Sequence, residues 1–351
     1  MSLHVAIIAS AGLGDGLIQM VIANNLLVNA CRVTFFNDHI HELQTCFPSV
    51  RARPYPAYER LLDEVADADV VLYDAYSPYI QRMPADLDRW LETNAVSYST
   101  AHAQPIHRSI TASRLAVLSR PEHAGKARRL VRLNRSLRDR GPRLRRKPVS
   151  RQLADRVVRL LELDRKTYSN GFALAAGDRG SSPLKVSIHP TSSNPAKSWL
   201  PERFLELADG LKRDGWNPVI TVAPGERARW LELAGDRLAV PELPTTRHLA
   251  DCLADSAAFV GNDSGGSHLA SCMGLPTLMI YKRWRRDPPW RPGWAKPWIV
   301  CPHRFSARDW QRHLAVERVR AAFDRMMLAG RTFRDSTDKR QETGSLPVPN
   351  E

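Results

Sequence analysis

The chain has 351 residues, 43% hydrophobic and 25% charged, and its 51 Lys and Arg against 37 Asp and Glu give a formal net charge of +14. Thirteen of the basic residues fall within residues 120–151, opposed there only by Glu122 and Asp139, so the excess is one local patch and excludes a uniformly basic nucleic-acid coat. No run approaches the roughly 18 apolar residues of a membrane span, and five scattered cysteines without close metal-ligand spacing fit a reducing cytoplasm.

The opening Met1–Ile8 has no basic leader and enters a strand pattern at once, which reads as a fold element and not a signal peptide. Leu3–Ile8 is followed by a Gly-rich turn carrying Gly14-Asp15, then a helical pattern over Leu17–Leu27 and strands at Val33–Asn37 and Val70–Tyr73. Glu122–Arg140 predicts a very basic helix, Gly141–Pro148 a loop and Arg151–Leu163 a second helix. A second α/β series follows. Strands are predicted at Lys185–His189, Pro218–Val222, Leu238–Val240, Ala258–Gly261 and Thr277–Tyr281. Helices are predicted at Pro201–Asp214, Gly225–Leu233, Thr246–Asp255 and Gly266–Met273, with a last one from Ala307 to about Leu328. Short apolar strands alternating with helices predict parallel sheets, which carry ligands beyond the carboxyl ends of their strands.

The expected organisation is an N-terminal Rossmann-like domain over 1–170 with the basic helix pair at 120–165, a linker at 171–184, and a second such domain over 185–330. Its last helix is free to pack back on the first domain, and the polar segment 331–351 is expected to be a flexible tail. Such a layout suits a nucleotide donor on one half and an acceptor on the other, and equally a two-domain binding protein.

Three strand-end motifs of the second half carry the chemistry. In His189-Pro-Thr-Ser-Ser-Asn-Pro-Ala-Lys197, Thr191, Ser192 and Ser193 offer hydroxyls and Lys197 a point charge suited to phosphate. In Gly261-Asn-Asp-Ser-Gly-Gly-Ser-His268, Ser264, Gly265 and Gly266 open a helix whose first N–H groups would face an anion. Asp263 and His268 flank this cradle; alternatively Asp263 caps the helix and His268 is a satisfied core group. Glu226, beyond another strand end, would accept from ribose hydroxyls or simply favour a helix start. Together these groups suit a diphosphate leaving group, while Asp15 in the opposite half has the right type for the base that takes the acceptor's proton.

With these residues in place, the sequence resembles the bacterial heptosyltransferases (glycosyltransferase family 9), over residues 3–30 and more strongly over 185–281. The matching text is Gly14-Asp15, Lys197-Ser-Trp-Leu-Pro-Glu-Arg-Phe204, Gly225-Glu226, and Asp263 through Pro276. The resemblance implies a GT-B fold, with two Rossmann-like domains facing across a cleft. It implies an inverting, metal-independent transfer of heptose or a related sugar, from ADP-heptose or another nucleotide sugar, to a lipopolysaccharide-core-like glycan, with no cofactor. Carried over by position, Asp15 is the general base, Ser192, Ser193 and Lys197 bind donor phosphate, Glu226 binds ribose, Asp263 lies near the sugar, Ser264–Gly266 form the phosphate loop and His268 stands beside it. The chain departs from the family pattern in lacking a Thr-Pro pair after Gly14-Asp15 and in carrying Lys282–Trp294 where a short turn is usual. A nucleotide-sugar hydrolase or epimerase of the same layout, or a non-catalytic relative, is the alternative.

Five of nine tryptophans (Trp284, Trp290, Trp294, Trp298, Trp310) fall in 284–310, where they either pack or stack on a ligand alongside arginines. The patch including Arg138, Arg143, Arg145, Arg146 and Lys147 contains no aromatic residue within 120–151, which disfavours nucleic-acid stacking. It is expected to meet an anionic glycolipid or the inner leaflet, making the protein a cytoplasmic, peripherally bound monomer, unless it is only a solvated helix pair.

Overall fold

The computed structural model describes residues 3–74, 77–79, 95–98, 147–174, 182–284, 288–303 and 309–342. The predicted basic helix Glu122–Arg140, with Arg138, Arg143, Arg145 and Arg146, lies outside these residues. The chain divides into two compact units. Unit 1 comprises Met1–Arg179, Pro244–Asp251 and Asp287–Trp294, and unit 2 comprises Gly180–Leu243, Cys252–Arg286 and Ala295–Glu351. The two short later segments of unit 1 fall within the stretch that the sequence assigned wholly to the second domain. In the first, the Thr246 N–H donates to the Glu42 carboxylate at 2.7 Å; in the second, the Pro289 carbonyl accepts from the Val149 N–H at 2.8 Å.

Unit 1 is built on five parallel strands: β1 (His4–Ile8), β2 (Arg32–Phe36), β3 (Arg51–Arg53), β4 (Val70–Asp74) and β5 (Ala95–Tyr98), in the order β3-β2-β1-β4-β5. The central β1 is buried along its whole length, as an apolar run covered on both faces must be. Its helices are α1 (Leu13–Leu27), α2 (Asp38–Glu42), α3 (Leu61–Glu64) and α4 (Val149–Leu161). Helix α1 buries most of its length and packs against α4.

Unit 2 repeats the plan with β6 (Lys185–His189), β7 (Asn217–Ile220), β8 (Ala258–Asn262), β9 (Thr277–Ile280) and β10 (Trp298–Val300), ordered β10-β9-β8-β6-β7 and all parallel. Its helices are α5 (Pro201–Arg213), α6 (Arg227–Ala234), α7 (Thr246–Ala254), which begins in unit 1, α8 (Gly265–Cys272), α9 (Trp310–His313) and α10 (Val316–Glu342). The expected strand Leu238–Val240 reduces to one bridge between Val219 and Ala239, because Pro218 in β7 has no N–H with which to extend the ladder. With that bridge as an outermost rung, the order is the doubly wound one, reversing between β6 and β8.

The last helix continues to Glu342, past residue 331, where a flexible tail was expected. Residues 331–342 contain no Gly or Pro, and extending an existing helix costs far less than nucleating one. Val319, Ala322, Phe323 and Met326 of α10 belong to the core of unit 2 with Trp199, Phe204 and Trp230.

The segment just before the expected linker is held against the end of α1 by asparagine side chains of the helix and of the turn after it. Asn24 donates to the Ser169 carbonyl, Asn29 exchanges two bonds with the Arg165 backbone, and Asn25 does the same with Thr167. Asn25 is fully buried and also donates to the Val21 carbonyl at 2.7 Å. An Asn25→Leu variant leaves the Thr167 N–H and carbonyl without partners. Each such group costs about 1–3 kcal/mol, so the urea midpoint should fall with an unchanged m-value; an unmoved midpoint would refute this role.

Candidate functional site

In unit 2 the strand order reverses between β6 and β8, so the loops leaving these two strands diverge and open a crevice at their carboxyl ends. The predicted motifs stand at this point. The fully buried Asn262, at the end of β8, ties the loop after β6 at both ends: its Nδ2 donates to the Pro190 carbonyl at 2.7 Å and its Oδ1 accepts from the Trp199 N–H at 3.0 Å. Within that loop a single 3-10 turn, Pro195–Lys197, places the Lys197 Nζ 3.1 Å from an Asp263 carboxylate oxygen. Asp263 is 9% exposed and Lys197 37%, so the pair lies at the rim and the lysine shields a carboxylate that has lost most of its water.

Helix α8 starts directly beyond. Its N-cap is Ser264, whose side chain makes no capping bond, so Asp263 pairs with Lys197 and does not cap the helix. The Ser264 Oγ is buried without a partner. A Cβ at Gly266 would lie 3.1 Å from the His189 ring, and one at Gly261 2.8 Å from Phe259, so both glycines let the helix start and the strand end sit close against β6. The first N–H groups of α8, from Gly265 and Gly266, therefore open beside Lys197 with no side chain of their own in the way. His268 is buried farther along the same helix.

Glu226 closes the 3-10 turn Pro224–Glu226 beyond β7, the neighbour of β6. Its Oε2 accepts from the Thr191 hydroxyl at 2.8 Å and from the Ala223 N–H at 3.2 Å. Ser192 donates to the Asn194 carbonyl at 2.8 Å, and Ser193 is exposed. The structure thus brings together Lys197, Asp263 and the start of α8, with Glu226 one strand away. Asn262 escaped the sequence reading, and Thr191 was read only as one of three hydroxyls, not as the partner of Glu226. Their only local signal was position: an Asn ending a buried strand and a hydroxyl two residues beyond another.

Asp15 belongs to unit 1, in the first turn of α1, where the helix dipole favours a negative charge. The turn before it rests on buried polar groups. Ser10 Oγ donates to Asp74 at 2.7 Å, and the Gln19 side chain exchanges two bonds with Ser10. Asn37 donates to the Ser10 carbonyl at 2.7 Å, and Tyr55 OH to the Ala9 carbonyl at 2.8 Å. Burial pushes the Tyr55 phenol up, so it stays a proton donor in this set. Lys147, which with Arg151 is a described member of the basic patch, pairs with Asp155 at 2.8 Å. Burial pushes the Asp155 carboxyl up, but bonds from Lys147, Lys166 and Tyr168 outweigh it and hold it below its ordinary range. Of the aromatic segment, Trp310 is buried and its indole donates to the Ala196 carbonyl at 3.3 Å, whereas Trp284 and Trp298 are exposed. Among the described residues no group of three His, Cys, Asp or Glu side chains is placed to hold a metal ion.

The class defined by this architecture is a GT-B-like fold of two Rossmann-like α/β units. Three solved structures share it. The ADP-heptose lps heptosyltransferase II of E. coli is 14% identical with a TM-score of 0.68, the match covering 94% of this chain and 99% of that one. The glycosyl transferase family 9 protein of Veillonella parvula is 15% identical with a TM-score of 0.62, covering 93% and 97%. The E. coli heptosyltransferase WaaC with ADP is 14% identical with a TM-score of 0.60, covering 92% and 100%. Residues 151–307 match the family described as glycosyltransferase family 9 (heptosyltransferase). No curated protein sequence matches the chain.

His189, at the end of β6, underlies the site. Its ring stacks on Phe259 at 6.2 Å, and its Nδ1 is buried without a partner although the residue as a whole keeps partial exposure. Burial holds the imidazolium below its ordinary 6.5, while the Glu226 carboxylate and the Thr221 backbone pull the other way. Below pH 6.5 the unfolded chain therefore binds a proton at this position that the folded one resists, and stability falls with falling pH. Thermal melts between pH 7.5 and 5 should show His189→Gln losing less of its Tm than the unsubstituted protein. Equal losses would remove His189 as a source of that dependence.

Proposed function

We propose that the chain is an inverting glycosyltransferase that takes a heptose or related sugar from a nucleotide diphosphate sugar, with ADP-heptose the foremost donor, and passes it to a lipopolysaccharide-core-like glycan. The observation that carries this reading is the meeting of Lys197, Asp263 and the start of α8 at the strand-order reversal, with Glu226 alongside. The match over residues 151–307 and the fold shared with heptosyltransferases support it.

In this reading Glu226 takes the ribose hydroxyls, while Lys197 and the Gly265 and Gly266 N–H groups take the diphosphate. Asp263 accepts from hydroxyls of the sugar once phosphate engages Lys197. The acceptor hydroxyl attacks the anomeric carbon, and its proton passes to the Asp15 carboxylate. The bond from that carbon to the phosphate oxygen breaks, and the electron pair leaves with the diphosphate. Charge growing on the departing oxygen is met by the lysine and the helix start, placed there beforehand. One displacement inverts the anomeric centre, and water is the competing nucleophile that an acceptor must exclude.

Calorimetry with ADP, followed by transfer from ADP-heptose to truncated core acceptors, tests the reading. The unsubstituted protein should bind ADP and transfer the sugar. Asp15→Asn should retain ADP binding and lose at least about a hundredfold in turnover, the lower range for a general base. Lys197→Ala should weaken ADP binding. Asp15→Asn with most of its turnover would overturn the base assignment, and sugar released without acceptor would mark a hydrolase.

The basic run within 120–151 supports a second part of the reading, that the enzyme works as a cytoplasmic monomer held at an anionic membrane face. Each charge near such a surface contributes about 1 kcal/mol. Reversing Arg143, Arg145 and Arg146 to Glu should cut sedimentation with phosphatidylserine vesicles, most at low salt. Unchanged sedimentation would rule the patch out as the anchor.

A further inference from the structure

The loop between β6 and α5 is tied to its two neighbours by one side-chain contact on each side. Towards β8 the contact is Lys197 with Asp263; towards β7 it is Thr191 with Glu226. The second contact has no part in the mechanism above, and we infer that Thr191 is a positioning residue that fixes the Glu226 carboxylate and so gives the site its discrimination between ribo- and deoxyribonucleotides. The inference rests on the donor-binding reading of unit 2.

Glu226 stands on a single turn beyond a strand, preceded by exposed Ala223, Pro224 and Gly225, so the backbone around it is bathed in solvent and little packing restrains its side chain. A carboxylate on so long a side chain costs on the order of 1–2 kcal/mol of rotamer freedom to fix. Two donors meet that cost from within the protein, and both end on Oε2: the Thr191 hydroxyl at 2.8 Å and the Ala223 N–H at 3.2 Å. The shorter bond comes from outside the turn, 35 residues away in sequence, and is the one that ties the carboxylate to the β6 loop. Oε1 takes no part in either bond. A carboxylate so held presents a fixed acceptor to a pair of neighbouring hydroxyls, whose geometry a deoxyribose cannot match.

The same bond separates Thr191 from the two hydroxyls after it. A threonine has one O–H to give. Thr191 gives it to Glu226, so its oxygen has only lone pairs left and cannot donate to a phosphate while the bond holds. The run Thr191-Ser192-Ser193 is therefore not three equivalent phosphate ligands. Its first member serves the glutamate.

The test compares ADP with 2′-deoxy-ADP and 3′-deoxy-ADP by calorimetry on the full chain, with Thr191→Val and Thr191→Ser. The unsubstituted protein should bind ADP about tenfold or more tightly than at least one deoxy form, as befits loss of a hydrogen bond to a charged group. Thr191→Val should lose most of that ratio through weaker ADP binding, keep its affinity for the deoxy form within about twofold, and unfold at the same urea midpoint. Thr191→Ser should restore the ratio. In a double-mutant cycle, adding Glu226→Gln to Thr191→Val should lower the ratio no further. A ratio untouched by Thr191→Val, or an unsubstituted protein that binds ADP and both deoxy forms alike, would overturn the inference and leave the donor-binding reading standing. Failure of the unsubstituted protein to bind any nucleoside diphosphate would overturn both.

Discussion

The candidate site depends on a single side-chain amide. Asn262 ends β8 and holds the neighbouring loop at Pro190 and Trp199, so the segment carrying Thr191, Ser192, Ser193, Lys197 and Ser198 is pinned where it leaves β6 and where it enters α5. Everything that makes the crevice useful for an anion follows from that restraint. Lys197 is held at the height of Asp263, Thr191 at the height of Glu226, and the glycines of α8 can approach because the strand beneath them ends in a flat imidazole. Removing the amide would leave a buried carbonyl and a buried N–H without partners, each at about 1–3 kcal/mol, and would free the loop that carries the charge.

The two ties on that loop differ in kind, and the difference suits a site that must open to a highly charged ligand. Lys197 with Asp263 is an ion pair that a diphosphate can take over, because phosphate offers the lysine more charge than the carboxylate does. Thr191 with Glu226 is a bond between a neutral donor and a carboxylate, and a ribose competes only for the oxygen that the bond leaves alone. On the proposed reading, one contact is exchanged on binding and the other persists. The neutral, buried His189 beneath them keeps a second positive charge out of the floor of the site, so the cationic character stays with the lysine and the helix start.

Much of this was legible in the sequence where the signal is local. A buried apolar run followed by a glycine-rich helix start marks a parallel strand and an anion site in a few consecutive residues, which is why β6, β8, Lys197 and Ser264–Gly266 could be placed from the text alone. The edge strands could not: the alternation Arg51-Ala52-Arg53 and the apolar run Trp298-Ile299-Val300 are each only three residues long, too short to stand out from loop. Asn262, and the bond from Thr191 to Glu226, were silent for another reason. Their partners lie 72, 63 and 35 residues away, and nothing in an Asn or a Thr announces a contact that only the folded sheet creates. The same holds for Asn24 and Asn25 in α1 and Asn29 just beyond it, which prove to be the seat of an extended backbone segment.

The indole of Trp310 donates to the carbonyl of Ala196, one residue before Lys197, and that of Trp199, at the far end of the same loop, donates to the carbonyl of Leu314 at 3.1 Å. Both rings are buried, and both N–H groups are fixed to backbone that borders the lysine. Two of the nine tryptophans are therefore native fluorophores wired to the loop that carries Lys197. Their share of the emission is a label-free optical record of that loop's state, resolved once the other seven are replaced by phenylalanine.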